Sequence, residues 1–371
     1  MAFRSDDAVV RSHRNRVHGM RIAQIAPLYE AVPPRLYGGT ERVVAHLTDA
    51  LVDAGHQVTL FAAADTRTSA NLVAVRDQAI RLDPAPLKSD LAAHLSMLDQ
   101  VRRRCEEFDV MHFHVDLLHY PFFADRARQT LTTLHGRLDL KDLGDAYRRW
   151  PQFPLVSISD HQRRPLQDVN WLGTVHHGVP ESVYPFIEHP RGSYLAFLGR
   201  ISPEKRLDRA IRIAARAGLP LRIAAKVDAV DRDYFREQIR PMLDAPGVEF
   251  IGEITDAEKA AFLGDAVALL FPIDWPEPFG LVMIEAMACG TPVIGWNCGS
   301  VPEVLQDHLT GRIVASEDEA VTAVAQVVTL DRHAIRKEFQ RRFSASAMAQ
   351  RYVELYWRLL ADSGSRTRMQ A

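Results

Sequence analysis

Prolines and glycines punctuate residues 268–314 so closely that few ways of folding this stretch remain. The apolar run 267–271 has strand character, and Pro272, Pro276 and Pro278 then forbid regular structure until Gly280. A short helix carrying Leu281, Met283, Ile284, Ala286 and Met287 stops at Gly290, cannot continue past Pro292, and gives way to a strand over 292–295. Its first turn, Phe279, Gly280, Leu281 and Val282, presents unpaired backbone N–H groups that attract an anion. Glu277 and Glu285 flank that helix end. Carboxylates repel phosphate, so beside an anion site they suit hydroxyl groups, as on ribose or hexose.

The chain opens with the same alternation. Residues 21–27 form a β-like run, a loop over 28–39 contains Pro33 and Pro34, and a helix capped by Thr40 ends at Gly55. Val43, Val44, Leu47 and Leu51 share one face of that helix, and the next strand covers 57–62. Strand, helix, strand in this order predicts a parallel sheet with a right-handed crossover. Gly38 and Gly39 at the helix start let backbone amides approach a phosphate closely. The dinucleotide pattern G-x-G-x-x-G does not occur, which removes the main support for nicotinamide binding. Residues 63–108 read as a loop and a helix over 91–105.

Further strands are expected over 109–115, 130–134, 154–159 and 174–177. His112 and His114 fall on one face of their strand, without a third ligand nearby to make a metal site. His135 stands just past the carboxyl end of a strand, where parallel sheets hold ligands. Pro180, Pro185, Pro190 and Gly192 mark a hinge. Beyond it, a strand over 193–198 leads to Arg200 and Lys205 at the opening of a helix over 205–217, two cations placed to clamp a diphosphate. Lys226 follows the strand 221–225 and is a candidate for a phosphate or base contact; another strand covers 248–253. Glu303 reads as the cap of the helix it begins. Helices over 317–329, 332–343 and 345–360 follow, the last with an apolar stripe of Tyr352, Leu355, Tyr356 and Leu359.

With 371 residues, the chain exceeds one comfortable core and implies two α/β domains. A formal charge of −2 gives no electrostatic footprint for nucleic acid. No apolar run reaches a membrane span and residues 1–19 lack an apolar signal core, so the expected location is cytoplasmic, with peripheral contact at the inner face of the membrane left open. Residues 1–19 read as a disordered basic extension. Cys105, Cys289 and Cys298 form no C-x-x-C and imply neither a disulfide framework nor a zinc site.

The string Glu277-Pro-Phe-Gly-Leu-Val-Met-Ile-Glu285-Ala-Met-Ala-Cys-Gly-Thr-Pro-Val resembles, nearly letter for letter, the E-x7-E motif of family 4 retaining glycosyltransferases. The paired glycines, the Thr-Leu-His135-Gly context and the G-R-x4-K pattern ending in Lys205 occur in the family's order, and the likeness covers nearly the whole chain after Met20. It implies a GT-B architecture, two Rossmann-like domains facing across a cleft. Residues 20–184 with a returning helix over about 345–362 would bind acceptor, and residues 185–344 the nucleotide sugar. It further implies that Gly38 and Gly39 lie near diphosphate and acceptor, that His135 reaches the donor sugar, and that Arg200, Lys205 and the amides of 279–282 hold the diphosphate. Glu277 would hold donor-sugar hydroxyls and Glu285 ribose hydroxyls. Where relatives carry Asn-Gly-Val/Ile-Asp, this chain has His177 and Pro180 in the outer positions.

The resulting expectation is metal-independent transfer of a hexosyl group, with retention, from a nucleoside diphosphate sugar to a saccharide, lipid-linked or small-molecule hydroxyl. No cofactor is expected, and a uridine diphosphate sugar is the favoured donor. A lipid acceptor would call for a basic face such as Arg102 to Arg104, Arg148 with Arg149, and Arg163 with Arg164. The alternatives are a nucleotide-sugar 2-epimerase on the same architecture and a noncatalytic nucleotide-sugar-binding protein.

Overall fold

The computed structural model describes residues 19–35 and 38–367. The reading of residues 1–19 as an extension falls, apart from Gly19, outside them. The first domain is built on a 7-stranded parallel sheet of β1 (Arg21–Ile25), β2 (Gln57–Ala63), β3 (Asn71–Arg76), β4 (Val110–Phe113), β5 (Thr130–Thr133), β6 (Leu155–Ser157) and β7 (Trp171–Thr174), in the order β3-β2-β1-β4-β5-β6-β7. The second has a 6-stranded parallel sheet of β8 (Leu195–Arg200), β9 (Leu221–Lys226), β10 (Val248–Gly252), β11 (Ala268–Phe271), β12 (Val293–Trp296) and β13 (Gly311–Val314), ordered β10-β9-β8-β11-β12-β13. Strand order reverses beside β1 and beside β8, and parallel sheets open a ligand crevice outside the carboxyl ends at such points.

Helices of eight or more residues are α1 (Gly39–Asp53), α2 (Asp90–Arg103), α3 (Leu207–Ala217), α4 (Asp256–Gly264), α5 (Leu281–Ala288), α6 (Glu317–Val327), α7 (Arg332–Phe343) and α8 (Ala345–Thr367). The apolar face expected of α1 is buried at Val43, Val44, Leu47 and Leu51. Residues Tyr352, Leu355, Tyr356 and Leu359 of α8 pack in one cluster with Ile22, Val43, Val58 and Val110, so the last helix returns to the first sheet. Interior strands β4 and β5 are buried at every residue, as expected of parallel strands covered on both faces.

Several local expectations are corrected. β3 lies inside the stretch read as loop; it is an edge strand with no fully buried position, and its apolar run, Leu72 to Val75, is only four residues long. Thr40 does not cap α1, because the helix already starts at Gly39 with Gly38 as its N-cap and no side-chain capping bond. The helix expected from Lys205 starts at Leu207: Lys205 ends a 3₁₀ turn, and Arg206, with φ of 54°, takes the left-handed conformation that separates turn from helix. Glu303 caps nothing in its own helix, since its carboxylate accepts the backbone N–H groups of Asp160 and His161 in the first domain at 2.7 and 2.6 Å.

Candidate active site

A cavity of about 410 Å³ opens between the two domains. The first domain lines it with Gly38, Gly39, Arg42, His135, Arg137 and His177, the second with Arg200, Lys205, Lys226, Trp275, Glu277, Phe279, Gly280, Leu281, Val282 and Glu285. Every site residue expected from the sequence therefore borders one space. Its walls are the carboxyl ends of both sheets, since Arg200, Lys226 and Phe271 close β8, β9 and β11, and His135 lies just past β5.

Two helix starts meet across this space. A Cβ added at Gly39 would have Leu281 Cδ1 as its nearest neighbour, at 3.9 Å, so the first residue of α1 faces the first residue of α5. Neither start has a side-chain capping bond, which leaves backbone N–H groups of both for an anion between them. Gly280 takes φ of 81°, and a Cβ there would also press on Met283 Cε at 2.9 Å and Phe271 Cζ at 3.0 Å. The turn at Gly299 packs so tightly on the Glu277 peptide that a Cβ would fall 2.4 Å from its nitrogen. Ser300 completes this support: its N–H donates to the Glu277 carbonyl at 3.0 Å and its hydroxyl to the Phe279 carbonyl at 2.7 Å.

Lys205 donates to Glu277, whose Oε2 also accepts the indole N–H of Trp275 at 2.8 Å. The Lys205 ammonium stands over the Trp275 ring, 5.2 Å from its centroid, and the Arg137 guanidinium reaches the same ring from the first domain at 5.8 Å. Arg200 lies among Glu204, Asp228 and Asp231. Lys226 pairs with Asp228 at 3.0 Å. Thus the cations expected to clamp a diphosphate already sit among carboxylates, and an incoming polyanion competes with them rather than meeting bare charge.

Glu285 is 3% exposed and accepts the Tyr184 hydroxyl at 2.8 Å, with the Lys259 ammonium 3.5 Å away. Lys259 also approaches Asp256, and Asp256 accepts from Arg42 of α1, so a charged chain crosses the back of the cleft from one domain to the other. On the opposite side Glu303 makes the second crossing. Burial works to raise its carboxyl, but His176 and the two backbone donors outweigh burial and hold it below the usual range.

His135 stacks against His177 at 5.3 Å between ring centroids, and His177 meets Phe279 edge-on at 5.0 Å. His177, which occupies an outer position of the Asn-Gly-Val/Ile-Asp segment, is thus part of the cleft wall. Burial lowers His135 to about 3 and His177 well below the usual histidine range, so both rings are neutral. The pair His112 and His114 spends its nitrogens on Thr133, Tyr356, Gln24 and His135.

Residues 37–162 match the family described as Glycosyltransferase Family 4, and residues 187–348 the family described as Glycosyl transferases group 1. The chain belongs to the family 4 glycosyltransferases of the GT-B fold. The enzyme is 27% identical over 388 residues to a phosphatidyl-myo-inositol mannosyltransferase of Mycobacterium leprae, covering 94% of this chain and 100% of the relative. It is 25% identical over 397 residues to a glycogen synthase of Mycobacterium tuberculosis, covering 90% and 94%. Among solved structures, AviGT4, a glycosyltransferase involved in avilamycin A biosynthesis, superposes with a TM-score of 0.72 at 25% identity over 92% of this chain and 98% of the other. Anabaena HepE in complex with UDP and glucose gives 0.71 at 17% identity over 90% and 98%, a likeness of fold.

Sequence reasoning missed Arg42, Arg137, Lys259 and Trp275. Arg42 follows the glycine pair by one helical turn and Trp275 stands two residues before Glu277, and such spacing to a recognised motif was the one signal available. The arginines considered as a lipid-facing surface are largely occupied: Arg102, Arg103, Arg104, Arg148 and Arg163 each approach a carboxylate. Among the described residues no helix is long and apolar enough to cross a membrane.

Proposed function

We propose that the enzyme transfers a hexosyl group, with retention of configuration and without a metal ion, from a nucleoside diphosphate sugar to an acceptor hydroxyl. The observation that carries this reading is the contact between Lys205 and Glu277 at the mouth of two facing helix starts. A cation suited to phosphate beside an acceptor suited to sugar hydroxyls brackets the bond between the two, which is the bond to be broken. Cleaving it leaves negative charge on the diphosphate, and Arg200, Lys205 and the N–H groups at the start of α5, which border the same cavity, would stabilise that charge. On this reading Lys226 adds a further contact to phosphate or base, Glu285 holds the ribose, Glu277 and His135 hold the sugar, and the acceptor enters from the side of Gly38 and Gly39. The leaving phosphate takes the acceptor's proton, with the new bond formed on the face the diphosphate leaves.

The volume of the cleft falls within the usual range for small-molecule sites. A uridine diphosphate sugar is the favoured donor, and acceptors are saccharides, lipid-linked or small hydroxyl compounds. Nothing in the cleft favours the epimerase or the noncatalytic reading. Thermal unfolding against uridine, guanosine and adenosine diphosphate sugars, each with and without a chelator, tests the proposal. At about 100 times the dissociation constant the right donor adds about 2.7 kcal/mol of stability. A chelator-insensitive rise with one nucleotide supports the reading; no rise with any donor would remove its basis.

A further inference from the structure

We propose that Gln24 and His114 are positioning residues that fix the tautomer of His135, so that His135 offers the cleft a hydrogen-bond acceptor. The inference rests on reading the cleft as the donor-sugar site. Strands β1, β4 and β5 are neighbours in the first sheet, with Gln24 in register beside His112. Gln24 and His112 are 0% exposed and His114 is 4% exposed.

The side chains form a continuous line. His135 Nε2 is 2.8 Å from His114 Nδ1, and His114 Nε2 is 2.8 Å from Gln24 Oε1. The Gln24 amide N–H donates to the Tyr356 hydroxyl of α8 at 3.2 Å, and that hydroxyl lies 2.8 Å from His112 Nδ1. His112 Nε2 lies 2.7 Å from the Thr133 hydroxyl.

Direction follows from chemistry. An amide oxygen only accepts, so His114 carries its hydrogen on Nε2. Burial keeps His114 and His135 neutral, and a neutral imidazole has one N–H. His114 Nδ1 is therefore bare and accepts from His135 Nε2–H, which leaves His135 Nδ1 bare as well. That atom is buried and has no hydrogen-bond partner among the described residues, although His135 lines the cavity. On the donor-sugar reading, a hydroxyl that reaches this nitrogen meets an acceptor and supplies the missing hydrogen bond. Reversing the Gln24 amide would reverse every donor in the line and turn Nδ1 into an N–H, so the amide is the element that decides. Tyr356 holds the amide in place, and α8 thereby touches the chemistry from beneath the sheet.

The test needs no substrate, so its failure is separate from failure of the donor reading. Long-range proton–nitrogen NMR spectra of enzyme carrying ¹⁵N-histidine distinguish protonated from bare ring nitrogens, and the His135→Gln variant assigns the resonances. The expected wild-type pattern at neutral pH is a protonated Nε2 and a bare Nδ1 on His135. Gln24→Met, similar in volume but without the amide, should yield a mixture of both tautomers. A protonated Nδ1 in the wild type overturns the proposal, as does a single unchanged tautomer in folded Gln24→Met. If that variant fails to fold, the wild-type spectrum alone still decides the direction of the line.

Discussion

Lowering the pH from about 7.5 to about 5.5 should weaken this enzyme within a window where ordinary carboxylates scarcely titrate. Burial, the main cause in each case, takes His46 down to about 4 and His135 to about 3, and pushes His112, His114, His119 and His177 well below the usual range. In the unfolded chain each returns to a pKa of about 6.5. Below that value the unfolded state binds protons that the folded state refuses, so stability is full above about pH 6.5 and is lost as the pH falls. One pH unit costs about 1.4 kcal/mol per histidine, so His46 and His135 alone remove about 3 kcal/mol at pH 5.5. Glu41, Asp116 and Asp231, each raised chiefly by desolvation, act in the opposite sense, three carboxyls against a larger group of lowered imidazoles. Urea unfolding at the two pH values measures the difference, and His46→Leu should flatten the slope by about one proton. A transition midpoint that does not move between these pH values would show that the buried rings are protonated or solvated in the folded enzyme, and their neutrality would have to be abandoned.

Lys205→Ala should lower transfer by about 10²- to 10³-fold with little change in melting temperature, because it removes a cation from the departing diphosphate; steady-state turnover with the donor found by ligand screening checks it, and undiminished turnover would refute the assignment. Glu285→Ala should do more than weaken donor binding: it strands the buried Tyr184 hydroxyl and leaves Lys259 with Asp256 alone, so a loss of about 1–3 kcal/mol in urea unfolding is expected together with weaker binding by calorimetry. Two glycine replacements should separate cleanly. Gly39→Ala meets only Leu281 Cδ1 at 3.9 Å and should keep its melting temperature while losing donor affinity. Gly280→Ala, at φ of 81° and against Met283 and Phe271, should lose about 1–2 kcal/mol of stability as well, which parallel melting and binding curves will show.

The alternation of strand and helix was legible because it is local. Runs such as 130–134 and 267–271 carry their burial in their own composition, and punctuation by Gly290 and Pro292 fixes where α5 must end. β3 was not legible, although Leu72 to Val75 is an apolar run, because four residues between Asn71 and Arg76 are too few for periodicity to tell a strand from other structure. The start of α3 was misread for another reason: the left-handed Arg206 is set by contacts with Asp208 and Asp274, and Asp274 comes from a loop 68 residues away.

Charge in the cleft resists sequence reading for a deeper reason. Arg200 and Lys205 could be named as cations beside a phosphate, but nothing within a few residues of Lys205 announces Glu277, which lies 72 positions further on. Glu303 looked like a local cap because acidic residues favour the first turn of a helix, yet the donors it serves belong to the other domain. Arg42 and Asp256 likewise cross the cleft. These contacts exist only while the domains face each other, so the residues that hold the cleft closed are those whose partners no local pattern can supply. Any opening motion must break Arg42 from Asp256 and Glu303 from residues 160–161. Lys205 and Glu285 from the second domain and His135 from the first border the same cavity, so a donor held as proposed would bridge the domains and add to a closure that these charged pairs already favour.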